Sequence, residues 1–309
     1  MTTVPLPDAA PANWVDRHAP ETLRPWLKLG RFDRPAGIWL LMLPGWQGIA
    51  LAGAMKGAWP DLRLLVLFAL GSALMRAAGC AFNDVVDRDI DAKVARTAAR
   101  PVASGLISVK GAAAFVGAAC LASLLILLSF NRLTILLGVS SLALVAAYPF
   151  MKRITWWPQA WLGLTFNWGA LMGFCAAASG LAAPAVLLYA GGVFWTLGYD
   201  TIYAVQDLED DALAGVKSSA RRLGDAAPRG VKAFYLVAVA LAAGACATAR
   251  LGPLAYVALA AYGLHLLRQA RRLKIDDPAG ALTLFKSNRE AGLILLAGLV
   301  AGAWHAGRG

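Results

Sequence analysis

The chain has 309 residues, of which 59% are hydrophobic and 15% are charged. A soluble domain usually has about 45–50% apolar and about 25% charged residues, so this composition excludes an ordinary soluble protein and indicates an integral membrane protein. On a membrane protein, a net charge of +11 is typical of the loops on one side of the bilayer, and we expect no nucleic-acid partner.

The N-terminal segment, residues 1–34, contains prolines and charges but no apolar stretch, so it lacks the pattern of a secretory signal. Between Leu23 and Phe32, apolar side chains alternate with arginine and lysine, which is typical of a short amphipathic helix at a membrane surface. An ordinary polar tail fits nearly as well. Residues 35–309 are interpreted as a single transmembrane domain.

The rest of the sequence consists of apolar stretches long enough to cross a bilayer as helices, which takes about 20 residues each. We predict an all-α membrane protein with nine spans, at 35–55, 62–83, 111–129, 133–150, 158–178, 183–204, 233–249, 253–267 and 290–306.

The distribution of basic residues predicts an orientation. With Arg63, at the edge of the second span, counted as a loop residue, 23 lysines and arginines lie on the same side as the N-terminus and 5 on the other. By the positive-inside rule, this imbalance supports an odd number of spans and a cytoplasmic N-terminus. We expect a bacterial inner (cytoplasmic) membrane, with the acidic segments after spans two and six also facing the cytoplasm.

The first acidic segment, residues 83–91, follows the second predicted span. On a helix, residues three, four and seven apart share a face. Asp84, Asp87 and Asp91 have spacings of 3 and 4, so they predict a stripe of carboxylates at a helix end. Asp89 is out of this register and is expected to face solvent.

The second acidic segment, residues 200–211, begins at the end of the sixth predicted span, and its Asp200, Asp207 and Asp211 have spacings of 7 and 4. Asp87 and Asp207 are 120 residues apart, with four spans between them. This placement suggests two four-helix pseudo-repeats followed by a ninth helix.

Carboxylates in pairs suit Mg²⁺, which usually takes one or two carboxylates, several waters and substrate phosphates. We predict that five aspartates bind Mg²⁺ together with a diphosphate: Asp84, Asp87, Asp91, Asp207 and Asp211. The alternative, solvated loop charges, is less favoured because acids with repeated helical spacing at a membrane edge are rarely incidental.

Basic residues follow both acidic segments and are candidates for binding the diphosphate: Arg96 and Arg100 after the first, and Lys217 after the second. The positive-inside rule would place cations in these loops in any case. Arg76, inside the second span, and Arg34, before the first, are expected either to bind a substrate carboxylate or to pair with a neighbouring acid.

Four polar side chains lie near the same helix ends and are candidates to line a pocket for an aromatic substrate: Tyr148, Asn167, Tyr199 and Tyr203. More often such residues satisfy hydrogen bonds between packed helices, so both interpretations stay open.

The chain resembles the membrane-bound aromatic prenyltransferases of the UbiA type over nearly all of residues 25–305. The resemblance rests on the Asn-Asp-x-x-Asp-x-x-x-Asp pattern at 83–91 and on residues 31–35, 37, 39–41, 76–80, 96–97, 100–101, 148–153, 158–159, 198–204 and 215–218. The first pattern alone is typical of the whole superfamily, whereas 148–153 and 199–204 are typical of its hydroxybenzoate branch.

The resemblance implies a helical bundle around a central cavity. It also implies Mg²⁺-dependent transfer of a polyprenyl group from polyprenyl diphosphate to the ring carbon ortho to the hydroxyl of 4-hydroxybenzoate, a step of ubiquinone biosynthesis. Lys152 belongs to a matching stretch and is included among the substrate-binding candidates.

By the same resemblance, the aspartates at 87 and 91 bind Mg²⁺ from one side and those at 207 and 211 from the other. Asn83 and Asp84 would assist them. The base that removes the ring proton is left between Asp207 and Asp200.

Two other functions remain. One is a related enzyme for another acceptor, such as homogentisate, dihydroxynaphthoate or haem. The other is a secondary transporter, which would also have a repeat but would place its polar site at mid-membrane.

Overall fold

The computed structural model of the protein describes residues 13–93, 97–213 and 215–306, without the side chains of 209–211 and 304–306. Every regular element in these ranges is helical. The α-helices are α1 (Trp14–His18), α2 (Arg24–Leu29), α3 (Ala36–Met55), α4 (Leu62–Val86), α5 (Arg88–Asp91), α6 (Val109–Leu127), α7 (Arg132–Ile154), α8 (Pro158–Ala178), α9 (Ala183–Ala204), α10 (Leu208–Leu213), α11 (Ser219–Leu223), α12 (Ala227–Thr248), α13 (Pro253–Arg272), α14 (Pro278–Lys286) and α15 (Asn288–Ala306). Two short 3-10 helices, Val205–Asp207 and Gly224–Ala226, complete the list.

Nine helices of the described residues have 19 to 25 residues, and each overlaps one predicted span. Within the described ranges, five segments are long and apolar enough to cross a membrane: Ala36–Met55, Leu62–Val86, Val109–Leu127, Arg132–Ile154 and Ser219–Thr248. The all-helical membrane class is therefore confirmed, whereas the nine crossings and the pseudo-repeat stay predictions.

The chain divides into two compact units. The first contains the described residues up to Trp39 together with Leu70–Leu128. Its core is a cluster of buried side chains on α2, α4, α6 and the intervening loop: Leu29, Ala81, Val102, Ile107 and Ala112. Because Leu29 is fully buried there, α2 is held by core packing. A position of α2 at a membrane surface stays a prediction.

The second unit contains Leu40–Ala69 and residues from Ser129 onward. Within it, α9 packs against both α8 and α12. The backbones of α3 and α8 touch, because a Cβ added at Gly48 would overlap the carbonyl of Ala170. Small residues permit such close approach between membrane helices.

Large apolar side chains project from the outer faces of α6 and α7, including Leu121, Leu125, Leu136 and Val139. A soluble protein would bury such side chains, whereas lipid tails solvate them well. Ser108 caps the start of α6 by accepting a hydrogen bond from the N–H of Gly111 at 3.1 Å, which defines where this apolar helix begins.

Candidate active site

The first acidic segment forms an almost unbroken helical repeat across a turn. α4 ends at Val86, and the N–H of Asp87 still donates to the carbonyl of Asn83 at 2.9 Å. The N–H of Asp91, the last residue of α5, in turn donates to the carbonyl of Asp87 at 2.8 Å. The predicted side-chain stripe therefore continues through the turn.

We call Asp84, Asp87 and Asp91 the acidic stripe. These residues are 1%, 0% and 5% exposed, respectively. The side chain of Asp89 is 80% exposed and pairs with Arg88 at 3.0 Å, so the expectation that it faces solvent is confirmed. Three buried carboxylates in one stripe repel each other unless cations lie nearby.

Two guanidinium groups supply that charge. NH2 of Arg31 lies 2.6 Å from Oδ1 of Asp84. NH1 of Arg100 lies 2.8 Å from Oδ2 of Asp91 and 3.5 Å from Oδ1 of Asp84. Arg100 thus joins two members of the acidic stripe, and its predicted contact with a diphosphate stays a prediction.

The acidic stripe retains features that suit a divalent cation. Burial raises the pKa of Asp91; Arg100 opposes this, while the neighbouring Asp84 and Asp87 add to it. Oδ2 of Asp84 is buried and accepts no hydrogen bond from the described residues. A further cation would offset both costs, and oxygen donors of this kind are what Mg²⁺ prefers.

Among the described side chains, no three acidic, imidazole or thiol groups converge closely enough to hold a metal ion by themselves. Mg²⁺ is commonly bound by one or two carboxylates plus waters and substrate phosphates. The carboxylates of the acidic stripe therefore fit an ion that is held partly by its substrate.

The two arginines near the first spans lie in different settings. Nε of Arg34 lies 3.5 Å from Oδ1 of Asp33, which is 4% exposed, so Arg34 has the neighbouring acid that one interpretation required. The guanidinium of Arg76 lies against Gly37, where an added Cβ would be 2.7 Å from its Nε. A glycine at 37 is thus needed for this placement.

In the second acidic segment, α9 ends at Ala204 and a 3-10 turn leads through Asp207 into α10. Asp200 lies in the last two turns of α9, and Asp200 and Asp207 are both partly buried. The side chain of Asp211 lies outside the described residues, as does all of Arg96. Their predicted roles are therefore untested.

Neutral hydrogen bonds fix the loop that follows this segment. The N–H of Ser219 donates to Oε1 of Gln159 at 2.9 Å, and the hydroxyls of Ser219 and Thr201 lie 2.6 Å apart. These contacts link α8, α9 and α11. Ser219 and Thr201 are fully buried, so the linkage is shielded from competing water.

Lys217 and Lys152 come together beside the end of α7. The N–H of Lys217 donates to the carbonyl of Lys152 at 3.0 Å. Nζ of Lys217 donates to the carbonyl of Ile154 at 3.1 Å. Lysine at a helix C-terminus is favourable, so a structural role accounts for this contact, and phosphate binding stays a prediction.

The predicted aromatic and amide residues include part of a packed polar chain. Nδ2 of Asn167 donates to Oγ1 of Thr196 at 2.7 Å, which donates to the hydroxyl of Tyr199 at 3.1 Å. These groups are nearly inaccessible, which supports the helix-packing interpretation for Asn167 and Tyr199. Tyr148 is half-buried on α7.

Phe285 on α14 packs on two of these aromatic rings, with its centroid 4.6 Å from that of Tyr203 and 5.8 Å from that of Tyr199. The same helix packs against the 3-10 turn that ends at Asp207. α14 therefore belongs to the surroundings of the second acidic segment.

Sequence reasoning did not select Arg31, Gln159 or Phe285 as site residues. Arg31 and Gln159 occur in the stretches that carry the family resemblance, which was the available signal. Phe285 has no such signal, because its partners lie more than 80 residues away in the sequence.

A sequence model described as the UbiA prenyltransferase family matches residues 41–303. The chain belongs to this family. A protein of Aedes aegypti called "4-hydroxybenzoate polyprenyltransferase, mitochondrial" is 48% identical over 286 residues, which cover 92% of this chain. The match spans 64% of that relative's length.

Solved structures of UbiA homologues have the same fold. The apo structure of a homologue from Aeropyrum pernix K1 has a TM-score of 0.71 and 28% identity, covering 85% of this chain and 96% of its own. A homologue from Archaeoglobus fulgidus bound to GPP and Mg²⁺ has a TM-score of 0.64 and 18% identity, covering 90% and 99%. At 18% identity, the likeness to the second structure shows the fold alone.

The prediction of a bacterial inner membrane is wrong by this comparison. The Aedes aegypti relative and an Arabidopsis thaliana relative with 45% identity over 94% of this chain both carry the word mitochondrial in their names. The error arose because charge bias and hydropathy indicate a membrane and an orientation but do not distinguish one cellular membrane from another. Insertion into a membrane remains supported by the apolar helices.

Proposed function

We propose that this UbiA family member transfers a polyprenyl group from polyprenyl diphosphate to the ring carbon ortho to the hydroxyl of 4-hydroxybenzoate. Diphosphate is released, Mg²⁺ is required, and the product serves ubiquinone biosynthesis. The family assignment and the names of relatives at 45–48% identity support this reaction.

The acidic stripe is the observation that carries the proposal. Its carboxylates are buried at the end of an apolar helix, and Arg31 and Arg100 lie within hydrogen-bonding distance of two of them. Such an arrangement is costly for folding alone. A site for a metal-bound anion explains why the chain retains it.

The proposed metal-binding residues come from both acidic segments: Asp84, Asp87, Asp91, Asp207 and Asp211. Bound Mg²⁺ would supply positive charge at the departing diphosphate. Arg100, Arg96, Lys152 and Lys217 are proposed to add charge-assisted hydrogen bonds to the same phosphates.

The proposed reaction is an electrophilic aromatic substitution. The allylic C–O bond breaks and its electron pair leaves with the diphosphate. An electron pair of the phenol ring then forms the new C–C bond, and Asp207 or Asp200 takes the displaced ring proton. Water must be kept from the allylic cation, which apolar helix faces achieve.

The acceptor carboxylate is assigned to Arg76, with Arg34 as the second candidate. An arginine inside an apolar helix suits a bidentate carboxylate contact. Gly37 supports this role by leaving room for the Arg76 guanidinium. Asn83, Tyr148, Asn167, Tyr199 and Tyr203 are proposed to shape the acceptor pocket, either directly or through their packing.

We also propose that all nine long helices cross the bilayer, as two four-helix pseudo-repeats and a ninth helix. Four of these helices, α8, α9, α13 and α15, are not among the five apolar segments, but α9 packs against both α8 and α12, and α13 packs against α15. A helix shielded by others needs less hydrophobicity than one facing lipid.

Product analysis tests the function directly. The purified protein is incubated in detergent with geranyl diphosphate and 4-hydroxybenzoate, and the product is identified by mass spectrometry. We expect a ring-prenylated acid and equimolar diphosphate, loss of both with EDTA, and recovery when excess Mg²⁺ is restored. Release of diphosphate with geraniol as the only organic product would reject the assigned acceptor.

A panel of acceptors separates the related enzymes. Homogentisate and dihydroxynaphthoate are offered in place of 4-hydroxybenzoate under the same conditions, and haem is offered separately. Preference for one of these would reassign the substrate within the family. Uptake of an unmodified substrate into vesicles, without product, would instead support a transporter.

A further inference from the structure

Arg31 has a backbone conformation that arginine rarely adopts. Its φ is 61°, in the left-handed region, which a residue with a Cβ enters at a cost in free energy. It directly follows α2 and Gly30, and its N–H donates to the carbonyl of Lys28 at 3.1 Å. A strained residue of this kind persists only where its surroundings hold it.

Hydrogen bonds from the Arg31 guanidinium hold the residue in this conformation. The residue is 9% exposed. NH1 donates to the carbonyl of Lys28 at 3.1 Å, and NH2 donates to Oδ1 of Asp84 at 2.6 Å. Charge-assisted hydrogen bonds are short and strong where water is excluded, and the second of these ties the turn after α2 to the acidic stripe on α4.

This contact fixes the orientation of the Asp84 carboxylate. Oδ1 is engaged by Arg31 and lies 3.5 Å from NH1 of Arg100. Oδ2 is buried and accepts no hydrogen bond from the described residues. Oδ1 of Asp84 therefore contacts arginine side chains, whereas Oδ2 is buried and open to a further ligand.

We propose that Arg31 is a positioning residue for metal binding. It neutralises and orients Asp84, so that Asp87 and Asp91 keep their places in the acidic stripe. The inference rests on the proposed function, because it assumes that the acidic stripe binds Mg²⁺. In this role Arg31 contacts neither substrate.

Two substitutions at one position separate the backbone from the side chain. Arg31→Gly removes the guanidinium but relaxes the left-handed turn, whereas Arg31→Gln removes it and leaves the turn strained. We expect both variants to raise the Mg²⁺ concentration for half-maximal prenyl transfer by about tenfold or more, the usual scale for losing a residue that orients a ligand. Thermal unfolding in detergent should show the glycine variant to be the more stable of the two.

A direct binding measurement accompanies the kinetics. Mg²⁺ is titrated calorimetrically into protein saturated with geranyl thiodiphosphate, and both Arg31 variants should bind it about tenfold more weakly than the wild type does. Arg31→Lys keeps the charge but cannot make the same two contacts, so it should recover part of the affinity.

Lys28→Gln is the matched control. Lys28 is also 9% exposed and ionically paired, but its Nζ lies 2.7 Å from Oδ1 of Asp16. This variant should lose stability while keeping the wild-type Mg²⁺ requirement. A similar rise in the Mg²⁺ requirement for Lys28→Gln would mean that loosening of α2 is responsible, and would overturn the proposal.

A double variant tests the route through Asp84. Arg31→Gln combined with Asp84→Asn should require no more Mg²⁺ than the worse single variant, because Arg31 is proposed to act through Asp84. Additive effects would reject this route, and wild-type Mg²⁺ binding by folded Arg31→Gly would reject the role of the guanidinium. If the wild type did not prenylate 4-hydroxybenzoate, the proposed function would be rejected. The calorimetric comparison of Mg²⁺ binding would still test the role of Arg31.

Discussion

The two acidic segments have similar sequence patterns, but different interactions hold them. In the first, carboxylates are buried and joined to Arg31 and Arg100 by charge-assisted contacts of 2.6 and 2.8 Å. In the second, neutral hydrogen bonds join Ser219 of the following loop to Gln159 and Thr201, and the ammonium of Lys217 donates to the carbonyl of Ile154. A substitution in the acidic stripe should therefore disturb its charged neighbours, whereas one at Ser219 should act locally.

The segments also share one local feature. Asp87 directly precedes the short helix α5, and Asp207 directly precedes α10. Both residues thus occupy the break between a long apolar helix and a short one.

The largest expected effect is the loss of turnover when Asp87 or Asp207 is changed to asparagine. Each change removes a charge that is proposed to act through Mg²⁺ on the leaving diphosphate, so prenyl transfer should fall by at least about 100-fold. Initial rates in membranes at saturating Mg²⁺ provide the measurement.

Asp89→Asn is the matched control, because Asp89 lies in the same segment but has an 80% exposed side chain. It should keep near-wild-type turnover. Comparable losses in Asp89→Asn and Asp87→Asn would show that general charge, and not the acidic stripe, is responsible. Turnover that survives in Asp207→Asn would restrict the proposed chemistry to the first segment.

The next effect concerns Arg100, which bridges Asp84 and Asp91. Arg100→Gln should destabilise the protein by about 2 kcal/mol, less than the loss of a partner from a fully buried pair, because 21% of the side chain is exposed. The unfolding midpoint in detergent measures this. An unfolding midpoint equal to that of the wild type would contradict this account.

The helices could be predicted from the sequence because hydropathy is local. The acidic stripe could be predicted for the same reason, since spacings of 3 and 4 act within two turns of chain. Helix ends were harder to predict, because a polar last turn carries no hydropathy signal. For example, α13 continues to Arg272, five residues beyond the predicted span 253–267.

Contacts between distant parts of the sequence could not be predicted from one sequence. Arg31 and Asp84 are 53 residues apart, and periodicity does not relate positions on different helices. The left-handed turn that directs Arg31 toward the acidic stripe has no sequence signal either, since glycine, which favours such a turn, lies one residue earlier at position 30.

A smaller effect is expected in the second segment. Ser219→Ala removes the hydroxyl that lies 2.6 Å from that of Thr201 and should cost about 1 kcal/mol of stability. Because the linkage is neutral, we expect the Mg²⁺ requirement to be unchanged and the KM for the prenyl diphosphate to rise only a few-fold. Ser104→Ala, on an exposed loop hydroxyl, is the control. A Mg²⁺ requirement shifted as strongly as in the Arg31 variants would erase the contrast between the two segments.

The smallest effect tests how far the ionic arrangement of the first unit extends toward the N-terminus. The pKa of Asp16 is lowered: burial acts to raise it, but the hydrogen bond from Lys28, with help from Asn13, outweighs that effect. A carboxyl whose folded-state pKa is lowered stabilises the protein above its usual value of 3.8, and this contribution is lost as the pH falls through the folded-state pKa. Asp16→Asn should therefore cost up to about 1 kcal/mol at neutral pH, and the difference from wild type should shrink at about pH 3. Unfolding midpoints of both proteins at the two pH values decide the matter, and a difference that grows with acidity would show that Asp16 does not act as the ionised partner of Lys28.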